Sequence, residues 1–210
     1  MTDLRSPALF VADALALDFL NSVATPADEP VDWIADGDGF LAWLAQSGLA
    51  PANETKALRK RSTPRELDAA AAKARDLREW FRSFVTKHKG RPLRADALRQ
   101  LGPLNRLLEA DEKYSQIVEQ GGATLRLRSM RRWRAPDALL SPIGEALARF
   151  VCEEEFADVK VCERPGCTLL FADHTRGRAR RWCSMALCGN RAKQAALRQR
   201  RKAMAQEAKS

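Results

Sequence analysis

The sequence predicts a mainly α-helical N-terminal domain with one β-hairpin, an α+β arrangement, followed by a small hairpin-plus-helix module built around four cysteines. Three observations predict this. Apolar residues recur at helical spacing through most of the first 158 residues, the spacing switches once to strand alternation near Gly121-Gly122, and two close cysteine pairs occupy the C-terminal segment. The corresponding boundaries are residues 1–158 for the N-terminal domain and 159–204 for the module, with 205–210 as a tail.

Each element has its own signal. Residues 10–23 place Leu15, Leu17, Phe19, Leu20 and Val23 on a helical face, until Pro26 and Pro30 interrupt it. Gly37-Asp38-Gly39 precedes a second helical run over residues 40–46. Thr63-Pro64-Arg65-Glu66 is a capping box with proline at the first helical position, where its missing N–H costs nothing. The Ala-rich stretch behind it keeps Leu67, Ala70, Ala74, Leu77, Phe81 and Phe84 at steps of three and four. It should run to about His88, and Gly90 and Pro92 end it. Residues 93–110 read as helix again, broken near Gly102-Pro103. Residues 114–119 and 124–130 flank Gly121-Gly122 as a hairpin, and Leu125-Arg126-Leu127-Arg128 alternates as a half-exposed strand should. Ser141-Pro142 starts a helix to about Glu154, with Ile143, Leu147, Phe150 and Val151 on one face. Cys152 falls on that apolar helix and is expected to be a buried free thiol.

Composition narrows the function classes. The chain has 210 residues and 45% hydrophobic content, enough for a real core, so wholesale disorder is excluded. The longest uncharged run, residues 39–53, is short and broken by two glycines and a proline, so no membrane span is expected. The start of the chain leads into a stretch interrupted by Asp13 and Asp18, which argues against a signal peptide and for a cytoplasmic protein. The net charge of +9 is unevenly spread. Residues 1–55 carry 9 acids and 1 base (−8), residues 56–134 carry 21 bases and 9 acids (+12), and residues 135–159 carry 1 base and 6 acids (−5). Residues 160–210 carry 13 bases and 3 acids (+10), together with four of the five cysteines.

Cys162 and Cys167 are separated by four residues, as are Cys183 and Cys188, and fifteen residues lie between the pairs. Two short-spaced pairs can each form a tight knuckle donating two thiolates to one tetrahedral ion, so the pattern points to one zinc. Pro165-Gly166 supplies the turn inside the first pair, residues 168–172 lead out of it as a short strand, and Cys188 opens a helical stretch. The fold expected is of zinc-ribbon or treble-clef-like form. Disulfides are disfavoured in a cytosolic chain, and a redox role for the thiols is compatible with zinc. His174, between the pairs, reads as a polar loop residue. Four thiolates leave no open position for an activated water, so the zinc is expected to be structural and no catalytic residue is assigned. With two histidines and no nucleophile–base pairing, the chain is not expected to be an enzyme.

Arg176, Arg178, Arg180 and Arg181 lie between the knuckles, and Arg191, Lys193, Arg198, Arg200, Arg201 and Lys202 follow the last cysteine. The final helix has mostly alanines to bury, with charge almost all round, which is a poor core helix and a plausible polyanion-binding one. Arginine's planar fork suits phosphate and guanine edges. These ten side chains are the expected nucleic-acid contacts, neutralising roughly 5–7 phosphates. A solubilising tail is the plainer alternative. The helix lacks the bulky apolar face of a membrane-surface helix.

The segment Cys183-Ser184-Met185-Ala186-Leu187-Cys188-Gly189-Asn190-Arg191 resembles the signature of CGNR zinc-finger proteins, as do residues 170–176 and Arg180-Arg181-Trp182. Leu15-Ala16-Leu17-Asp18-Phe19-Leu20-Asn21-Ser22 resembles the opening motif of the ABATE domain that precedes the finger in these proteins, and residues 139–143 sit where that domain closes. The resemblance implies a bacterial, stress-related transcription regulator. It makes the four cysteines the zinc ligands and the finger with its helix the DNA-binding part, and it gives the N-terminal domain a regulatory role. The chain departs from relatives at Thr168-Leu169. DNA is the expected partner, with no membrane involvement. RNA, or docking of the basic finger on an acidic protein of the transcription machinery, stays open. A small-molecule effector and a homodimer are further partners the N-terminal domain allows, with Asp18 and Asn21 as candidate ligand-binding residues.

Overall fold

The computed structural model describes residues 7–25, 29–122 and 124–207, apart from the side chains of residues 202, 203, 205 and 207. The distal part of the expected 205–210 tail, residues 208–210, lies outside the described residues. The described residues form two compact units assembled from separate stretches. Residues 33–80 and 94–154 make the first, and residues 7–32, 81–93 and 155–207 make the second. Packing therefore groups the chain differently from chain order.

In the first unit, α2 (Gly37–Ser47) starts at Asp36, whose side chain accepts the Gly39 N–H, and stops at Gly48 in the left-handed region. Next comes α3 (Ala52–Arg61), which buries only Thr55 and Leu58. The capping box does what its residues predict: the Glu66 carboxylate accepts the Thr63 N–H at 2.7 Å and Thr63 Oγ1 accepts the Glu66 N–H at 3.3 Å. It opens the 25-residue α4 (Pro64–His88). Residues 64–80 of that helix belong to the first unit and 81–88 to the second. A short 3-10 turn precedes α5 (Gly102–Glu109), which packs on α6 (Leu140–Glu153) closely enough that a Cβ on Gly144 would lie 2.8 Å from Leu107 Cδ2.

Between α5 and α6 runs the hairpin, β3 (Lys113–Glu119) with β4 (Leu125–Arg131), antiparallel with Ile117 opposite Leu127. Gly121 and Gly122 both take positive φ, 103° and 62°, as a tight return requires. Alternation is present, but neither face is well buried: Ile117, Leu125 and Leu127 are each about two-thirds or more exposed. The base of the hairpin is fixed by charge. Arg131 grips both oxygens of Asp111 at 2.6 and 2.7 Å and reaches Glu145 at 3.1 Å.

In the second unit, α1 covers only Leu15–Leu20, shorter than the apolar spacing over residues 10–23 predicts. Asp13 adopts φ 57° within a bend, and Ala12 O accepts the Ala172 N–H at 2.8 Å, so the entry turns and bonds to another segment instead of continuing the helix. Beyond α1, the two-residue strands β1 (Val23–Ala24) and β2 (Val31–Asp32) pair, where the prolines suggested only an interruption. Phe84 packs edge-on against Phe156 at 6.0 Å. β5 (Val159–Val161) pairs antiparallel with β6 (Leu170–Ala172), and all of β6 is buried. A π-helical turn over Met185–Gly189 then leads into α7 (Asn190–Glu207). The fold class is as predicted, α-rich with small hairpins and a C-terminal cysteine module.

Cys152 is exposed, correcting the expectation of a buried thiol. The buried face of α6 runs through Leu140, Ile143, Leu147 and Phe150, and Cys152, two residues beyond Phe150, points about 200° away from it.

Candidate metal centre and basic surface

The first knuckle is a turn in which the Cys167 N–H bonds Arg164 O at 3.0 Å, with Gly166 at φ 78°. The second is the π-helical turn, capped by Ser184: its hydroxyl accepts the N–H of Ala186 and Leu187, and its carbonyl accepts the N–H of Cys188 and Gly189. A Cβ on Gly189 would lie 2.5 Å from Met185 Sδ and 3.3 Å from the Trp182 ring, so a larger residue at the helix entry would displace the exposed Met185 side chain. Glu163 N–H to Arg181 O at 2.9 Å ties the knuckles together.

These two turns bring all four sulfurs of Cys162, Cys167, Cys183 and Cys188 within 4.8 Å of one another. Cys183 and Cys188 are 3.5 Å apart and Cys188 and Cys167 3.7 Å. A tetrahedron with Zn–S bonds of about 2.3 Å has edges of roughly 3.8 Å, so the donor set fits. Three of the four cysteines are buried. Four thiols this close cannot all ionise unaided. A hydrogen bond from Cys183 brings the Cys167 thiol down to about 5, burial pushes Cys188 up to about 11, and Cys183 is pushed up, first by its bond to Cys167. Binding a cation removes this conflict and releases the protons. Arg164 Nε donates to Cys188 Sγ at 3.2 Å, neutralising charge beside the site. Four thiolates fill the four positions of a tetrahedral zinc, so the site is a single structural zinc centre.

The expected nucleic-acid residues divide into two groups. Arg180 is turned inward. Its Nε donates to Trp182 O at 3.0 Å, Nη1 to Asp13 and to Ala172 O at 3.4 Å, and Nη2 to Val11 O at 2.7 Å and to Cys183 O. All five N–H donors are used, and the guanidinium lies 4.4 Å over the Phe171 ring. Arg178 is held by Asp158 at 3.0 Å and by the Asp173 carbonyl, and Arg181 by Glu163 at 2.6 Å. Arg176, Arg191, Lys193, Arg198, Arg200 and Arg201 are exposed, with no polar partner among the described residues. The Lys202 side chain lies outside the described ones.

Asp18 and Asn21, the candidate ligand pair, are both engaged with backbone. Asp18, 6% exposed, accepts the N–H of Val11 at 2.9 Å and of Ala12 at 3.0 Å, and burial raises its carboxyl to about 6. Asn21 donates to Leu170 O at 2.8 Å and accepts the Leu170 N–H at 3.0 Å, so its amide stands in for a neighbouring strand along β6. His174 is exposed, consistent with a loop residue.

Asp173 was missed from sequence. Fully buried, its carboxylate accepts Lys160 Nζ at 2.6 Å, the Arg180 N–H at 2.9 Å, and the Thr175 hydroxyl and N–H at 2.6 and 3.1 Å. Burial alone would push the carboxyl up; these four donors outweigh it and hold it well below the usual carboxylate range. The local signal was an Asp two residues before a Thr, the form of an Asx turn.

Residues 13–154 match the ABATE family model, described as "Putative stress-induced transcription regulator", and residues 159–201 match the CGNR zinc finger. No curated protein matches the chain. No helix of the described residues is long and apolar enough to cross a membrane.

Proposed function

We propose that this chain, which belongs to the ABATE family of transcription regulators and carries a CGNR zinc finger, binds duplex DNA through the outward cations of its zinc module. The observation that carries the reading is the set of exposed, unpaired bases on α7, mounted on a metal-braced scaffold. Zinc supplies the cross-link that a segment this small cannot provide by burial. Around it, Arg180 and Asp173 spend their hydrogen bonds on the scaffold, leaving Arg176, Arg191, Lys193, Arg198, Arg200 and Arg201 free to meet phosphates.

In this reading the protein acts in the cytoplasm by binding rather than by turnover, and the ABATE region carries the signal. Support for the second part is that Asn21 and Asp13, inside the ABATE match, bond directly to the strand and loop of the finger. Fluorescence anisotropy of the zinc-loaded protein with a mixed-sequence duplex, at several salt concentrations, tests the proposal. Tight binding that weakens steeply with salt is expected. Absence of salt-dependent binding at about 50 mM salt overturns it, and a preference for RNA of the same sequence redirects it.

A further inference from the structure

We infer that the β3–β4 hairpin of the first unit is a second nucleic-acid-binding surface, contacting the phosphodiester backbone through one arginine-bearing face. Side chains alternate along β4, so Arg126, Arg128 and Met130 share a face. The Arg132 N–H bonds Glu112 O at 3.0 Å, extending the ladder by one pair and adding Arg132 to that row. Successive positions on one face of a strand are about 6.8 Å apart. The cross-strand neighbours of Arg126 and Arg128 are Val118 and Gln116, so no carboxylate opposes them. Both arginines are exposed and have no polar partner among the described residues.

The row continues into an open groove of about 490 Å³ lined by Arg61, Arg132, Trp133 and Arg134. Glu112, 2.8 Å from Arg134 and 3.9 Å from Arg132, is the carboxylate paired with these arginines, and Arg61 at the end of α3 has no partner among the described residues. Tyr114 supports Arg132 from beneath at 4.6 Å. Five arginines against one carboxylate, strung along a ribbon and an open groove, match an extended polyanion better than a small enclosed ligand. A two-stranded ribbon is also of a size that the DNA major groove admits. Part of the positive charge of residues 56–134 thus lines one ribbon face uncompensated.

The inference does not depend on the zinc module binding DNA. Four full-length, zinc-loaded proteins test it: wild type, R126Q/R128Q, R198Q/R201Q and the combination, each titrated with a duplex of mixed sequence across salt. Arg126 and Arg128 hold nothing in place, so thermal unfolding of R126Q/R128Q should match wild type. The hairpin variant is expected to bind about ten-fold more weakly at low salt, with a log–log salt slope shallower by about 1.8. The same slope and affinity as wild type overturn the inference while leaving R198Q/R201Q to judge the finger. Unchanged DNA binding with lost binding to phosphatidylserine vesicles overturns it in favour of a membrane surface. No binding to duplex by wild type overturns both readings.

Discussion

The loop between the cysteine pairs and the helix after them are equally arginine-rich, yet they employ the residue in opposite ways. In the loop, Arg180 satisfies five donors inside the protein and Arg178 is pinned between Asp158 and the Asp173 carbonyl. On α7, Arg191, Arg198, Arg200 and Arg201 have no polar partner among the described residues. Identical side chains within 23 residues of one another therefore serve folding in one place and are available for recognition in the other. The difference lies in what surrounds them: carbonyls and carboxylates converge on the loop, whereas α7 offers alanines and more arginine.

The comparison predicts a ranked series of effects. Stripping zinc should be the most severe, since structural zinc is worth on the order of 10 kcal/mol in such modules. Chelation should open residues 159–190 to protease and remove the zinc module's share of DNA binding, while leaving the first unit's helical circular dichroism. Arg180→Ala should follow, costing about 2–4 kcal/mol in urea unfolding, because it removes the donors to the Val11, Ala172, Cys183 and Trp182 carbonyls together. Arg180→Lys should rescue little, as one ammonium cannot reach five acceptors.

Asp173→Asn should cost about 2–3 kcal/mol at neutral pH. Its carboxyl is held below the ordinary range, so the stability it contributes is complete above about pH 4 and lost as pH falls below that. Unfolding curves of wild type and Asp173→Asn should accordingly run parallel above pH 4 and converge below it. A gap that fails to narrow between about pH 4 and pH 2 would contradict the assignment. Asn21→Ala should cost about 1–2 kcal/mol by exposing one backbone N–H and one carbonyl of Leu170 to no partner. Smallest in stability is R198Q/R201Q, within about 0.5 kcal/mol of wild type, yet it should flatten the salt slope of DNA binding by about 1.8. If R198Q/R201Q instead unfolds early and Arg180→Ala does not, the division between the two regions is wrong.

What the sequence could reveal depended on how local each signal was. The Thr63 capping box, the Gly121-Gly122 return and the two cysteine pairs are each complete within a few residues, and all three stand in the structure where their residues predict. The α3 helix was invisible because it buries little beyond Thr55 and Leu58, leaving no apolar period to detect. The β1–β2 pair is two residues long on each side, below the length at which alternation can be read. The roles of Arg180 and Asn21 were illegible for a different reason. Arg180 reaches Asp13 across 167 residues and Asn21 reaches Leu170 across 149, and the nearer acceptors of Arg180 are backbone carbonyls that any sequence supplies, so nothing in the local string distinguishes Arg180 from Arg198. Charge and spacing located the metal site and the basic segment; only packing could say which arginines were spent.

The amide of Asn21, bonded both ways to Leu170, also sets a timetable for synthesis. Asn21 leaves the ribosome well before the backbone edge that its amide completes. At about 5–20 residues per second, the 149 residues between them take roughly 7–30 s to make. For that interval Leu17, Phe19 and Leu20 have none of β6 to pack against, so the apolar helix must wait exposed or shielded by other proteins. The second unit is thus a structure that the nascent chain can close only once β6 has been made.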